Sequence, residues 1–136
     1  MSGTEFVYLD SSALVKLVVA EPETAALRAY LVGKAPASSE IAVVEVMRAV
    51  GRLQRDRPDT VQAAGRTVME SIQLIPLTRG TVAVACGVEP PMLRSLDAIH
   101  VASALALAEV LGSMVTYDVR MQEAARLAGL RVAAPA

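Results

Sequence analysis

The run EFVYLDSSALVKLVV, Glu5 to Val19, decides how the chain is read. Its first five residues are β-prone and end at Asp10. Ser11 and Ser12 then open an apolar pattern of helical period, Ala13 to Val19, which stops before Pro22. The same alternation continues outward. Glu23 to Val32 predicts a second helix, with Gly33 to end it. Pro36–Ser38 has poor strand propensity but stands where the next helix needs a lead-in. Ser39 suits the N-cap of a long helix running to about Arg55. Pro58 fits the first turn of a helix from Asp59 to about Ser71. Ile72–Leu77 (IQLIPL) reads as a strand, Thr78 to about Val88 as a short helix and Pro90-Pro91 as a loop. Ser95 is expected to cap a helix over Leu96–Leu111, with Gly112 ending it. Met114–Tyr117 reads as a strand ending at Asp118. Val119–Leu127 is a helix stopped by Gly129, and Arg131–Ala133 a last short strand.

Short strands alternating with helices predict an α/β fold, a parallel sheet with helices on both faces. No repeat, low-complexity tract or linker interrupts the pattern, so a single domain over residues 1–136 is expected. An apolar fraction of 54% and a mean hydropathy of +0.45 suffice for one core and exclude disorder. The longest apolar stretch, Val101 to Leu111, is broken by Ser103 and Glu109, too short for a membrane span. No secretory signal pattern opens the chain. The single cysteine, Cys86, closes no internal disulfide; it reads as a small core residue, and the cytoplasm is the expected compartment.

Composition removes several chemistries. One Cys and one His build no zinc finger, HExxH site or CxxC pair. The glycine spacing gives neither a dinucleotide loop nor a phosphate loop. A net charge of −1 announces no nucleic-acid binder, although a local arginine cluster can hold phosphates in a neutral protein. The only aromatics, Phe6, Tyr8, Tyr30 and Tyr117, are too few for a base-stacking platform.

Ligands of parallel α/β sheets bind beyond the carboxyl ends of the strands. Two strands here end in an aspartate, Asp10 and Asp118. Asp97 falls in the first turn of a later helix, and Glu45 inside the helix that begins near Ser39. Each aspartate alone is explained as a helix-terminal acid. Glu45 shares a stripe with Arg48, Arg52 and Asp56, which is either a solvated charged face or a face turned over the sheet edge. Periodicity does not separate the two. Together the four acids are hard oxygen ligands of the kind that suits Mg²⁺ or Mn²⁺. Their summed charge of −4 raises some of their pKa values unless cations are present. Such sites support phosphodiester hydrolysis. The Ser12 hydroxyl either holds a water or phosphate oxygen or is an ordinary first-turn serine. Asp97, His100 and Ser103 are spaced like a triad, but one helix does not bring two short side chains onto both nitrogens of one imidazole. His100 therefore reads as a packed or hydrogen-bonded helix residue.

Four blocks, YLDSSALVKL, VVEVMRA, SLDAIHVASAL and VTYDVRMQEAA, together resemble the PIN domains of VapC-type toxins, in order and over nearly the whole chain. The resemblance implies a three-layer PIN-like fold with a short, mainly parallel sheet. It implies a Mg²⁺- or Mn²⁺-dependent ribonuclease, the toxin of a toxin–antitoxin pair. The family's acids then fall on Asp10, Glu45, Asp97 and Asp118, of which Asp118 occupies the most variable position. Its polar residue after the first acid falls on Ser11 or Ser12, with Ser12 preferred. Arg48 falls where the family's arginine orients the helix acid or meets an RNA phosphate. Glu40 matches no family acid. Two other functions compete: a non-catalytic PIN-type RNA-binding module, and a phospho-acceptor receiver domain, which needs a late lysine where this chain has only Lys16 and Lys34.

The resemblance also implies a VapB-like antitoxin as partner, expected to dock a helix beside the early helices and extend an arginine into the acids. Apolar Val15, Leu17, Val18, Leu27 and Leu31 exceed what one core needs, and they predict a homodimer.

Overall fold

The computed structural model describes residues 4–53 and 58–136. In β1 (Phe6–Leu9), Val7 and Leu9 join one apolar cluster and Tyr8 another. This is the period-two alternation of a strand covered on both faces. Asp10 follows and caps α1 (Ser11–Val18) by accepting from the Ala13 N–H at 3.0 Å. After α2 (Thr24–Leu31) the chain reverses at Gly33, whose φ of +77° suits a residue without Cβ. β2 (Ala35–Ser39) has weak strand propensity, yet it lies between two strands, and its Ser38 hydroxyl donates to the Leu9 carbonyl at 2.7 Å. Then come α3 (Ile41–Leu53), α4 (Pro58–Glu70), β3 (Gln73–Ile75), α5 (Arg79–Cys86), α6 (Ser95–Leu105), β4 (Leu111–Val115), α7 (Val119–Leu127) and β5 (Val132–Ala133).

The sheet order is β3-β2-β1-β4-β5, and every pairing is parallel. The chain walks outward from β1 through β2 to β3, then returns to the other side of β1 for β4 and β5. The gap between the ends of β1 and β4 is thus the topological switch point. Register places Leu9 opposite Val115, and the Asp10 N–H donates to the Val115 carbonyl at 3.2 Å. One core layer packs Leu14, Leu27, Val46, Val50 and Met69 from α1 to α4 against Val7, Leu9 and Val115. The other packs Val101, Ala104, Met121 and Ala124 from α6 and α7 against Tyr8 and Met114. This is the expected three-layer arrangement.

Several boundaries differ from expectation. Ser95 is the first residue of α6, and Arg94 holds the cap position without a side-chain cap bond. α6 ends at Leu105 rather than Leu111, because tight turns take over at Ala106–Val110 and Leu111 pairs with Phe6 in the sheet. Gly112 therefore lies inside β4 instead of ending a helix. β4 stops at Val115, so Thr116 and Tyr117 lie beyond it. Ser39 is the last residue of β2, and its Oγ accepts from the Ile41 N–H at 3.3 Å. The expected helix end near Arg55 and the stripe residue Asp56 lie outside the described residues. Cys86 is exposed at the end of α5, not in the core. Leu27 is fully buried, and Val15, Leu17, Val18 and Leu31 pack partly buried against the same cluster. These residues serve the core of one chain, so they no longer argue for a dimer. An apolar hollow of about 490 Å³ lies instead at α3, α4 and β3, lined by Val43, Met47, Met69, Ile72 and Leu74. No helix among the described residues is long and apolar enough to cross a membrane.

Candidate active site

Asp10 is the innermost acid, 2% exposed at the switch point. Its Oδ1 accepts from the Ser12 hydroxyl at 2.7 Å and from the Ala13 N–H, and its Oδ2 from the Thr116 hydroxyl at 2.6 Å. Burial pushes its carboxyl above the usual range, and these three donors only partly offset that. Thr116 Oγ1 also accepts from the Asp118 N–H at 3.1 Å, and Ser12 Oγ from the Tyr117 N–H at 3.1 Å. The two hydroxyls tie the ends of β1 and β4 together around Asp10.

Glu45 reaches the site from α3. Its Oε1 accepts from the Ser11 hydroxyl at 2.7 Å and lies 2.6 Å from His100 Nε2. Burial pushes its carboxyl up, but the hydrogen bond and charge of His100, with help from Ser11, leave it below its ordinary value. His100 is 1% exposed, and its other nitrogen, Nδ1, lies 2.6 Å from the Tyr8 hydroxyl. Both ring nitrogens are therefore engaged away from Asp97 and Ser103. Ser103 Oγ is buried without a hydrogen-bond partner, so no triad forms.

Asp97 and Asp118 meet through one guanidinium. Arg94 Nε donates to Asp97 Oδ2 at 3.4 Å, and Arg94 Nη2 lies 3.6 Å from Asp118 Oδ2. Asp118 Oδ1 also caps α7, accepting from the N–H groups of Arg120 and Met121. Burial raises the Asp97 carboxyl, Arg94 draws it down, and the charge of Asp118 pushes it up again; the net direction is upward. Arg94 is well exposed, so solvent screens much of its pull.

The sequence-predicted acids thus come from four different elements to one sheet edge. The serines divide the work: Ser12 braces Asp10, and Ser11 braces Glu45. Arg48 is exposed on α3, and among the described residues no ion pair links it to Glu45; His100 and Ser11 orient that acid instead. Glu40 serves the chain locally by accepting from the Leu77 N–H at 2.7 Å. Neither lysine serves the acids. Lys16 pairs with Glu21 and Glu23, and Lys34 donates to the Tyr30 carbonyl, which removes the receiver-domain reading. Sequence reasoning missed Thr116, Tyr8, Arg94 and the link from His100 to Glu45.

The donor set is all hard oxygen, and two of its carboxyls are raised by burial, which is chemistry a divalent cation relieves. Arg94 already brings positive charge to two of the four acids. Among the described residues, however, no three His, Cys, Asp or Glu side chains form a ready-made metal cage.

Fold and site together define a small doubly wound α/β protein that gathers carboxylates at its switch point. The PIN domain family model matches residues 7–127, and the chain belongs to that family. It is 45% identical over 130 residues to Ribonuclease VapC46 of Mycobacterium tuberculosis strain ATCC 25618 / H37Rv, covering 95% of this chain and 97% of the relative. It is 38% identical over 134 residues to Ribonuclease VapC47 of Mycobacterium tuberculosis strain CDC 1551 / Oshkosh, covering 95% and 96%. A crystal structure of VapBC2 from Rickettsia felis, bound to a DNA fragment from their promoter, shares the fold with a TM-score of 0.73. The identity there is 13%, over 96% of this chain and 99% of that one. Within the PIN domains the chain is thus of the VapC type.

Proposed function

We propose that this protein is a divalent-metal-dependent endoribonuclease and the toxin of a toxin–antitoxin pair. The observation that carries the reading is the convergence of Asp10, Glu45, Asp97 and Asp118 at the switch point of a chain whose relatives are named ribonucleases. Asp10, Glu45, Asp97 and Asp118 would hold Mg²⁺ or Mn²⁺. When bound, the ion supplies positive charge to the attacking and leaving oxygens of a phosphodiester.

The protein's own residues do the rest. Thr116, Ser12 and the Ala13 N–H hold Asp10 at a fixed orientation. Ser11 and His100 do the same for Glu45. Four anions in one cleft repel an RNA backbone, so exposed cations must help to bring it in. Arg94 at the rim of the site and Arg48 on α3 are placed to meet phosphates. A VapB-like antitoxin is the proposed protein partner.

Purified protein should cleave RNA with Mn²⁺ and not with EDTA. Asp97→Asn keeps the side-chain shape, removes an anionic ligand and should abolish that cleavage while the domain stays folded. Retained cleavage by a nuclease-free preparation of Asp97→Asn overturns the assignment. Mn²⁺-independent RNA binding without cleavage would instead favour a non-catalytic RNA-binding module.

A further inference from the structure

A buried chain of hydrogen bonds runs from the backbone to one carboxylate of the site. The Ser39 N–H, at the end of β2, donates to the Tyr8 hydroxyl at 3.1 Å. That hydroxyl lies 2.6 Å from His100 Nδ1, and His100 Nε2 lies 2.6 Å from Glu45 Oε1. Tyr8 and His100 are 0% and 1% exposed, and only the Glu45 end of the chain is open to solvent.

Counting donors assigns the protons. Burial holds the Tyr8 phenol well above its ordinary pKa, so it keeps its one proton. Its oxygen accepts from the Ser39 N–H and meets His100 at Nδ1. The ionised Glu45 carboxylate only accepts, so a ring N–H sits on Nε2, facing it. Both bonds to Glu45, from Ser11 and from His100, end on the same oxygen, Oε1.

We propose that Tyr8 braces the His100 ring at Nδ1 with its Nε2–H turned to Glu45, and that His100 in turn is a positioning residue that holds Glu45 by Oε1 and leaves Oε2 for a cation. This deepens the nuclease reading and rests on it for the cation. Partners that orient a metal ligand in this way commonly contribute ten- to a hundredfold in affinity.

His100 is the only histidine, so its signals in a nitrogen-15 long-range correlation spectrum are unambiguous. The expected spectrum has a protonated Nε2. Tyr8→Phe removes the partner at Nδ1 and should shift the ring-nitrogen signals. His100→Leu should weaken Mn²⁺ binding, followed by calorimetry, by about tenfold or more while unfolding stays cooperative. His100→Gln, whose amide N–H can replace Nε2–H, should recover most of the loss. An Nδ1–H tautomer in the wild type overturns the proposal, as does unchanged Mn²⁺ affinity in His100→Leu. Should His100→Leu fail to fold, the same two readouts on Tyr8→Phe decide: an unchanged spectrum with unchanged affinity overturns it. A wild type that binds no Mn²⁺ overturns the nuclease reading; the relay then stands or falls on the nitrogen spectrum, which needs no metal.

Discussion

Asp10 concentrates the conflict between folding and function in one side chain. Its folded-state pKa is raised, chiefly by burial. A raised acid contributes its stability when protonated. That contribution is full below the ordinary aspartate value of about 4 and is lost as pH rises through the higher folded value. Without divalent ions, Asp10→Asn should therefore melt above the wild type at neutral pH. The gap should close as pH falls toward about 4. Asparagine still caps α1 well, so the cap is not at issue. Equal midpoints at pH 8 in EDTA would contradict the assignment of strain to this residue. At this scale the sequence revealed the acids because each stood in a recognisable place, after a strand or in a first helical turn. It did not reveal Thr116 or Tyr8. Their roles depend on the parallel register that sets Leu9 against Val115 and on a hydroxyl reaching from β1 to α6, and neither is a local pattern.

Elements were legible where punctuation was strong. Asp10 and Asp118 cap helices as read, Thr78 caps the helix it was expected to begin, and α7 has the predicted limits. They were illegible where propensity and pairing disagreed. The alanine-rich run from Ala102 to Leu111 favours helix, but pairing with β1 draws Leu111 into the sheet and ends α6 at Leu105. Gly33 offers a test of the punctuation itself. A Cβ there would meet nothing within 4 Å, so substitution is penalised by the backbone alone. At φ of +77° the left-handed conformation costs an L-residue roughly 1–2 kcal/mol. Gly33→Ala should lower the melting temperature by a few degrees without altering cleavage. An unchanged midpoint would mean that the α2–β2 turn relaxes freely.

The whole molecule is a scaffold that holds four carboxylates together, and its stability should report on what neutralises them. Mn²⁺ should raise the melting temperature, since a ligand at a hundred times its Kd stabilises by about 2.7 kcal/mol. Asp10→Asn should show a smaller rise, and identical wild-type midpoints in Mn²⁺ and EDTA would reduce the acids to helix caps. A guanidinium is the other neutraliser, and this fold already uses one: Arg94 reaches both Asp97 and Asp118. An antitoxin that inserts an arginine among these acids would extend the same contact with bidentate, charge-assisted bonds. Arginine and metal then compete for the same oxygens, and linkage fixes the sign. Raising Mn²⁺ should weaken antitoxin binding, and Asp97→Asn should weaken it too while flattening the Mn²⁺ dependence. The part of the partner docked on apolar surface should persist in both cases as a residual affinity. A titration of the purified pair across a wide Mn²⁺ range measures all three terms. Affinity that changes neither with Mn²⁺ nor with Asp97→Asn would place the inhibitory contact away from the carboxylates.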